Sequence, residues 1–389
     1  MADRSSELYE NSPDAIVPKQ RHRVLALVPA HNEESIIENT VRSLMTQTYR
    51  PALVLVIADN CTDQTVSIVQ RLIQDYGSHR LRILETIANT GKKAGALNQG
   101  LHSINRQDYD LVLQMDADSV LDMEITRKAV EYLRQDPTMG GVCAGYTTMP
   151  LKGTETLFQK LPWRLQNIEY GSANAWRVEF LKSARVLPGV TTVYRMKVIE
   201  DVLAQRNDGQ VWDEASLVED YELTLRVKDL GWGAGNSTEM FVWSDAPLSI
   251  SELWKQRLRW YGGTIDEIRK RGFRRHSRWE YVPLVVAPIF IMMRLILLGA
   301  YAFLAITAQP LVIWTPFLGG ELISLAYQLY RMRYAHYIDA TQVLIVVSLV
   351  PYWFYSALVE AAWVYGGYLS FFRRIGRGRR TLNSRTQSL

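Results

Sequence analysis

Across 389 residues, 44 Lys and Arg set against 40 Asp and Glu leave a formal charge of +4, too slight a bias to argue for a nucleic-acid partner. The length exceeds one typical domain, and the only cysteines, Cys61 and Cys143, have no metal-ligand spacing and read as two reduced thiols. The 48% hydrophobic fraction averages a charged first two-thirds and an apolar last third, so the expectation is a two-part protein.

Residues 1–22 are polar, contain Pro13 and Pro18, and lack the apolar core of a signal peptide; they read as a flexible lead-in. The apolar run 24–28, bounded by Pro29, predicts a buried strand. Ser35 and Glu38 then spell a capping box for a helix with Ile37, Val41 and Leu44 on one face. Residues 53–58 repeat the strand pattern and end at Asp59; a helix carrying Val66, Val69, Leu72 and Ile73 follows. Third and fourth strands are expected over 81–84 and 111–115, with a helix over 94–102 between them. This alternation predicts an α/β fold with a parallel sheet, helices on both faces, and ligands beyond the carboxyl ends of the strands.

Polar clusters fall at those strand ends: Pro29, His31 and Glu33 after the first, Asp59 to Asp63 after the second, and Asp116-Ala117-Asp118 after the fourth. An acidic rim conflicts with a diphosphate ligand unless a divalent cation lies between them. Mg²⁺ or Mn²⁺ takes one or two carboxylates together with phosphate oxygens and water. Asp63 reads as a helix cap, and Lys93 as a solvated charge.

Further on, Leu187-Pro188-Gly189-Val190 is a loop signal in which Gly189 permits close approach of backbone to a ligand. Glu219-Asp220 precedes a helical stretch over 221–230 ended by Gly231; such an acidic pair ordinarily serves the helix dipole. Ser249 and Glu252 form a second capping box. In the helix it opens, Gln256, Arg259 and Trp260 share a face at i, i+3 and i+4, while Trp254, Leu258 and Tyr261 suit a lipid surface.

These motifs, in this order, resemble the family 2 glycosyltransferases with the GT-A fold, among them the membrane-associated hyaluronan, chitin, cellulose and poly-N-acetylglucosamine synthases. The likeness runs from Val28-Pro29-Ala30-His31-Asn32-Glu33-Glu34 through Asn89-Thr90-Gly91-Lys92-Lys93-Ala94-Gly95 to Gln256-Arg257-Leu258-Arg259-Trp260. It implies a GT-A catalytic domain over 23–247 that moves a sugar, with inversion, from a nucleoside-diphosphate donor, by default a UDP-sugar. Pro29, His31, Glu33, Asp59, Lys92, Asp116, Gln256 and Arg259 would bind the donor, and Asp118 with Asp116 would hold Mn²⁺ or Mg²⁺. By the same resemblance Asp220 would be the general base, supported by Glu219, and Gly189 and Trp260 would meet the acceptor, a carbohydrate, lipid or protein.

The remainder divides into amphipathic interfacial helices over 248–280, a transmembrane region over 281–372 and a basic tail over 373–389. Spans are expected over 281–307 and 311–330, since roughly 20 apolar residues cross a bilayer. Residues 341–372, split near Pro351 and Glu360, are expected to form a hairpin or one span with an interfacial helix. Arg269, Lys270 and Arg271 before this region and Arg373, Arg374 and Arg377 after it then lie on the cytoplasmic side with the catalytic domain, in contact with membrane lipids. Arg294, Glu321 and Glu360 would line a substrate path or pair with one another. With no span before the catalytic segment, a complete polymer-conducting channel is not expected. Transfer of one or a few sugars is the alternative to polymer elongation, and a non-catalytic nucleotide-sugar-binding assembly subunit is the alternative of another class.

Overall fold

The computed structural model describes residues 22–180, 183–273, 278–307, 315–335, 338–348 and 350–372. The expected lead-in before residue 22, Arg274, Arg275 and the tail over 373–389 lie outside them. In chain order the first half comprises β1 (Val24–Ala30), α1 (Ile37–Met45), β2 (Leu53–Ala58), α2 (Thr65–Tyr76), β3 (Leu81–Glu85), α3 (Lys92–His102), β4 (Leu111–Met115), β5 (Ser119–Leu121) and α4 (Ile125–Gln135). The second half continues with β6 (Met139–Thr148), α5 (Leu157–Phe180), β7 (Thr191–Arg195), α6 (Met196–Gln205), α7 (Glu219–Asp229), β8 (Gly233–Ser244) and α8 (Ile250–Arg271). Four further helices close the described chain: α9 (Tyr281–Ile306), α10 (Thr315–Met332), α11 (Ala340–Ser348) and α12 (Val350–Phe372).

The strands form one sheet in the order β3-β2-β1-β4-β7-β6-β8-β5. Its first four strands are parallel, as expected from their apolar runs. Alternate residues of β1 serve opposite faces: Val24, Ala26 and Val28 pack with α1, α2 and α4, while Leu25 and Leu27 pack with α3, α6 and α7. A strand covered on both sides has no polar face, which is why it reads as a continuous apolar run.

The expectation of a wholly parallel sheet fails in the second half. β7 runs antiparallel to both β4 and β6, and β5 runs antiparallel to β8. β6 (MGGVCAGYTT) and β8 (GAGNSTEMFVWS) are too rich in glycine and polar residues to read as strands, so their pairing is decided by tertiary contact rather than local pattern.

Two local expectations also change. β1 continues through Pro29 to Ala30 instead of stopping at Val28. Val24 and Ala30 both accept bonds from the β2 side, from Ala52 and Asp59, so Pro29 faces β4, past the last registered pair Leu27↔Gln114, where a missing N–H breaks no ladder bond. The Ser35–Glu38 capping box does not form: α1 has no side-chain cap, and Glu38 instead pairs with Arg42 at 2.7 Å. A lost cap costs about 1 kcal/mol, whereas Ile37, Val41 and Leu44 are fully buried and contribute about 1.5–3 kcal/mol each; packing therefore fixes this helix without a cap. The second box holds at its serine, where the Glu252 N–H donates to Ser249 Oγ at 3.2 Å to open α8.

Among the described residues no single helix is long and apolar enough to cross a membrane, although the pair Ala340–Ser348 and Pro351–Phe372, bent by 73°, has the length and composition together. The bend meets the expected break near Pro351. The apolar face of α8 is covered by α12 instead of being left for lipid: Trp254 stacks on Tyr365 at 6.2 Å, Leu258 is buried, and a Cβ on Gly366 would lie 2.9 Å from the Gly262 backbone nitrogen. The side chains of Arg294 and Glu321 lie outside the described residues, and Glu360 is half-buried on α12.

Candidate active site

The carboxyl end of β2 carries Asp59, 7% exposed, with its Oδ1 accepting from Asn60 Nδ2 at 3.0 Å, Thr86 Oγ1 at 2.8 Å and Asn89 Nδ2 at 2.8 Å. Three donors on one oxygen fix the carboxylate. His31, beside it and exposed, makes a 2.6 Å bond between Nδ1 and the Asp59 carbonyl, so it shapes the same turn. Asn32 and Asn60 hold left-handed φ of 57° and 50°, a conformation asparagine tolerates. Asp63 accepts from the Thr65 and Glu34 N–H groups at 3.0 Å each, which ties the first residue of α2 to the loop after β1, while the N-cap position itself is Gln64 and not Asp63.

At the end of β4 the chain brings together groups that sequence spacing keeps far apart. Lys93 Nζ pairs with Asp116 Oδ1 and lies 3.4 Å from Glu219 Oε1, with Asp220 also in its field. Burial works against the ammonium, yet Asp116, Glu219 and Asp220 outweigh it and raise its pKa, so Lys93 is a permanent cation at the centre of the site. This corrects the reading of Lys93 as a solvated charge. Gly189 belongs to the same arrangement: a side chain there would collide with Lys93 Nζ, and its N–H donates to Asp220 Oδ2 at 3.1 Å.

Asp220 does not cap α7. Its Oδ1 accepts from the Tyr221 N–H at 2.7 Å, and two backbone donors thus aim the carboxylate. Burial and the neighbouring Glu219 push its pKa from 3.8 to about 6, against the lowering effect of Lys93. Such a carboxylate is ionised at neutral pH and a better proton acceptor than an exposed aspartate.

A second acidic group surrounds Asp118. Burial and then Asp116 raise Asp118 to about 7, while Glu33 is raised to about 7 by burial and by Asp118, Asp245 and Asp116. Asp245, just past β8, was not legible as a site residue; its N–H donates to the Asp118 carbonyl at 3.2 Å. Asp118 Oδ1 accepts from Ser119 Oγ at 3.0 Å, and no ion pair among the described residues involves Asp118. Hard oxygen donors whose charges oppose one another suit a hard divalent cation. Among the described residues no three His, Cys, Asp or Glu side chains cage a metal unaided, but a cation that keeps phosphate and water ligands needs only one or two.

Helix α8 completes the rim. Arg259 is exposed and close enough to Lys92 to lower the lysine's pKa, after the larger effect of burial. Gln256 Oε1 accepts from Arg257 Nη1 at 2.6 Å, and the Arg257 guanidinium lies 4.5 Å from the centre of the Trp260 ring. Arg257, 1% exposed, is a second residue whose role spacing alone did not show; the one signal was a charge next to the buried Leu258.

If Gly189 serves chiefly to admit Lys93, Gly189→Ala is expected to lower turnover by about 10- to 10²-fold with donor binding unchanged. Steady-state kinetics beside a donor-binding titration checks this.

A fixed carboxylate at the end of β2, paired acids after β4 and Asp220 beside the bridging Lys93 make up the candidate site. The chain belongs to the glycosyltransferases of family 2: residues 22–263 match the family model described as "Glycosyltransferase like family 2". It is 30% identical over 252 residues to the probable glycosyltransferase YdaM of Bacillus subtilis, covering 63% of this chain and 56% of that protein. With the poly-beta-1,6-N-acetyl-D-glucosamine synthase of Staphylococcus aureus it shares 26% over 263 residues, 67% of this chain and 58% of the other. The chain thus spans a little over half the length of these curated relatives. Among solved structures, the mannosyltransferase PcManGT of Pyrobaculum calidifontis, in complex with GDP-Man and Mn²⁺, shares its fold with a TM-score of 0.56 at 18% identity, over 92% of this chain and 89% of that one.

Proposed function

We propose that this chain is a membrane-attached, metal-dependent, inverting glycosyltransferase that moves a sugar from a nucleoside-diphosphate donor, by default a UDP-sugar, to an acceptor hydroxyl. The observation that carries the reading is the convergence of Asp116, Glu219 and Asp220 on Lys93, which sets a donor-side acid and a candidate base on one cation.

In this reading Asp59 accepts a base N–H, and Lys92, Arg259 and the amide of Gln256 bind the diphosphate. Asp118 and Asp116 would hold Mn²⁺ or Mg²⁺, which would supply positive charge to neutralise the diphosphate. Asp220 takes the proton of the acceptor hydroxyl; the acceptor oxygen bonds to the sugar C1 as the bond from C1 to the phosphate oxygen breaks on the opposite face, which inverts the centre. Trp260 offers the acceptor sugar the ring face that Arg257 leaves free. The bent pair α11 and α12, with the exposed apolar side chains of α9 such as Val285, Ile289 and Ile296, supports attachment to a bilayer, and the basic residues Arg269, Lys270 and Arg271 support a catalytic domain on its cytoplasmic side.

The test is diphosphate release by the membrane-embedded protein across UDP-N-acetylglucosamine, UDP-glucose and GDP-mannose with Mn²⁺ or Mg²⁺. Release from one donor, lost on chelation and in Asp118→Asn, is the expected result, and the length of the product distinguishes polymer elongation from transfer of a single sugar. Binding of a donor with no release of diphosphate from any of them, whatever acceptor is added, would overturn the catalytic reading in favour of a nucleotide-sugar-binding assembly subunit.

A further inference from the structure

Arg257 is a buried guanidinium that touches Gln256 and Trp260, two of the three side chains of its helix given roles above. Arginine has only donors, so the bond from its Nη1 to Gln256 Oε1 dictates which end of the Gln256 amide turns inward and leaves the amide nitrogen to face outward as a donor. Its plane also lies over Trp260 and fixes that ring from one side. What locates Arg257 is remote in sequence. Its Nη2 donates to Glu169 Oε2 on α5 at 2.6 Å and to the Tyr355 hydroxyl on α12 at 3.2 Å, and that hydroxyl in turn donates to Glu169 Oε2.

We propose that Glu169 and Tyr355 are positioning residues: through Arg257 they set the Gln256 amide and the Trp260 ring, so the seating of α12 on α8 is registered where donor and acceptor meet. A buried arginine with a single carboxylate partner could be purely structural, but then it need not contact Gln256 and Trp260 as well. The proposal rests on the roles given to those two residues under the glycosyltransferase reading.

The experiment uses the full chain in detergent, labelled with fluorotryptophan, with the Trp260 fluorine resonance assigned by its loss in Trp260→Phe. Tyr355→Phe removes one hydroxyl, and Glu169→Gln removes the charge but keeps the shape. Each is expected to move the Trp260 resonance and to lower kcat about tenfold, with the double variant no worse than the worse single, because the three groups act as a unit. A Trp260 resonance unmoved in both variants, or losses that multiply in the double, would overturn the proposal. The resonance requires no donor, so it still decides the positioning role if the wild-type chain transfers no sugar, and the two failures remain distinct.

Discussion

Asp220→Asn is expected to lower the rate of sugar transfer by about 10²- to 10⁴-fold, the usual worth of a positioned base, with donor affinity little changed. The substitution is nearly isosteric, and Asn can still accept from the Gly189 or Tyr221 N–H, the two donors that aim the native carboxylate. Burial already penalises the charged form of Asp220, so removing that charge is expected to hold or raise the unfolding temperature, which separates lost chemistry from lost structure. The wild-type pH profile supplies a second check. A base must be ionised to act, so kcat/KM is expected to rise with pH through about 6 and level off above it, and Asp220→Asn is expected to abolish that limb. With the metal saturating, so that Asp118 stays ionised, a rising limb near 6 that survives the substitution would assign the base elsewhere.

Lys93→Met ranks next in expected effect. The lysine lowers the pKa of Asp220 and pairs with Asp116, so its loss leaves three carboxylates facing one another without their cation. An opposite charge at this range is worth roughly one to three pKa units, so the rising limb is expected to move upward by about that much. Transfer at pH 7 then falls by about 2- to 10²-fold through the smaller ionised fraction and recovers in part at higher pH. A deep loss with an unmoved limb would mean that Lys93 acts by contact with the donor rather than by its charge on Asp220. Measured pH profiles of wild type and variant distinguish the two.

The legible parts of this protein are those whose cause is local. β4 matches its expected bounds at both ends because each of its residues is buried and the run admits no other pattern. Asp59 and the pair Asp116 and Asp118 were singled out as candidates because they follow such strands. Asp220 was singled out through the resemblance alone, since an acidic pair opening a helix has a common structural explanation. Lys93 was misread for a related reason: a lysine beside a lysine looks solvated until Glu219, 126 positions later, is known to face it. β6 and β8 were missed because their residues acquire strand character from their neighbours, and Asp245 was missed because it follows one of them. The covered face of α8 was misjudged because sequence cannot tell a helix waiting for lipid from one waiting for α12.

The insertion of β7 between β4 and β6 has a consequence in time. Asp59, Thr86 and Asn89 belong to the β1–β4 segment, whose strands join through short, sequential crossovers and can pair early. Lys93 waits for Glu219 and Asp220, which arrive only after a strand of opposite direction has closed against β4. The Asp59 turn is therefore expected to form before the Lys93 cluster during folding. A chain arrested between the two would hold Asp59 in its final turn while Lys93 still lacked Glu219 and Asp220.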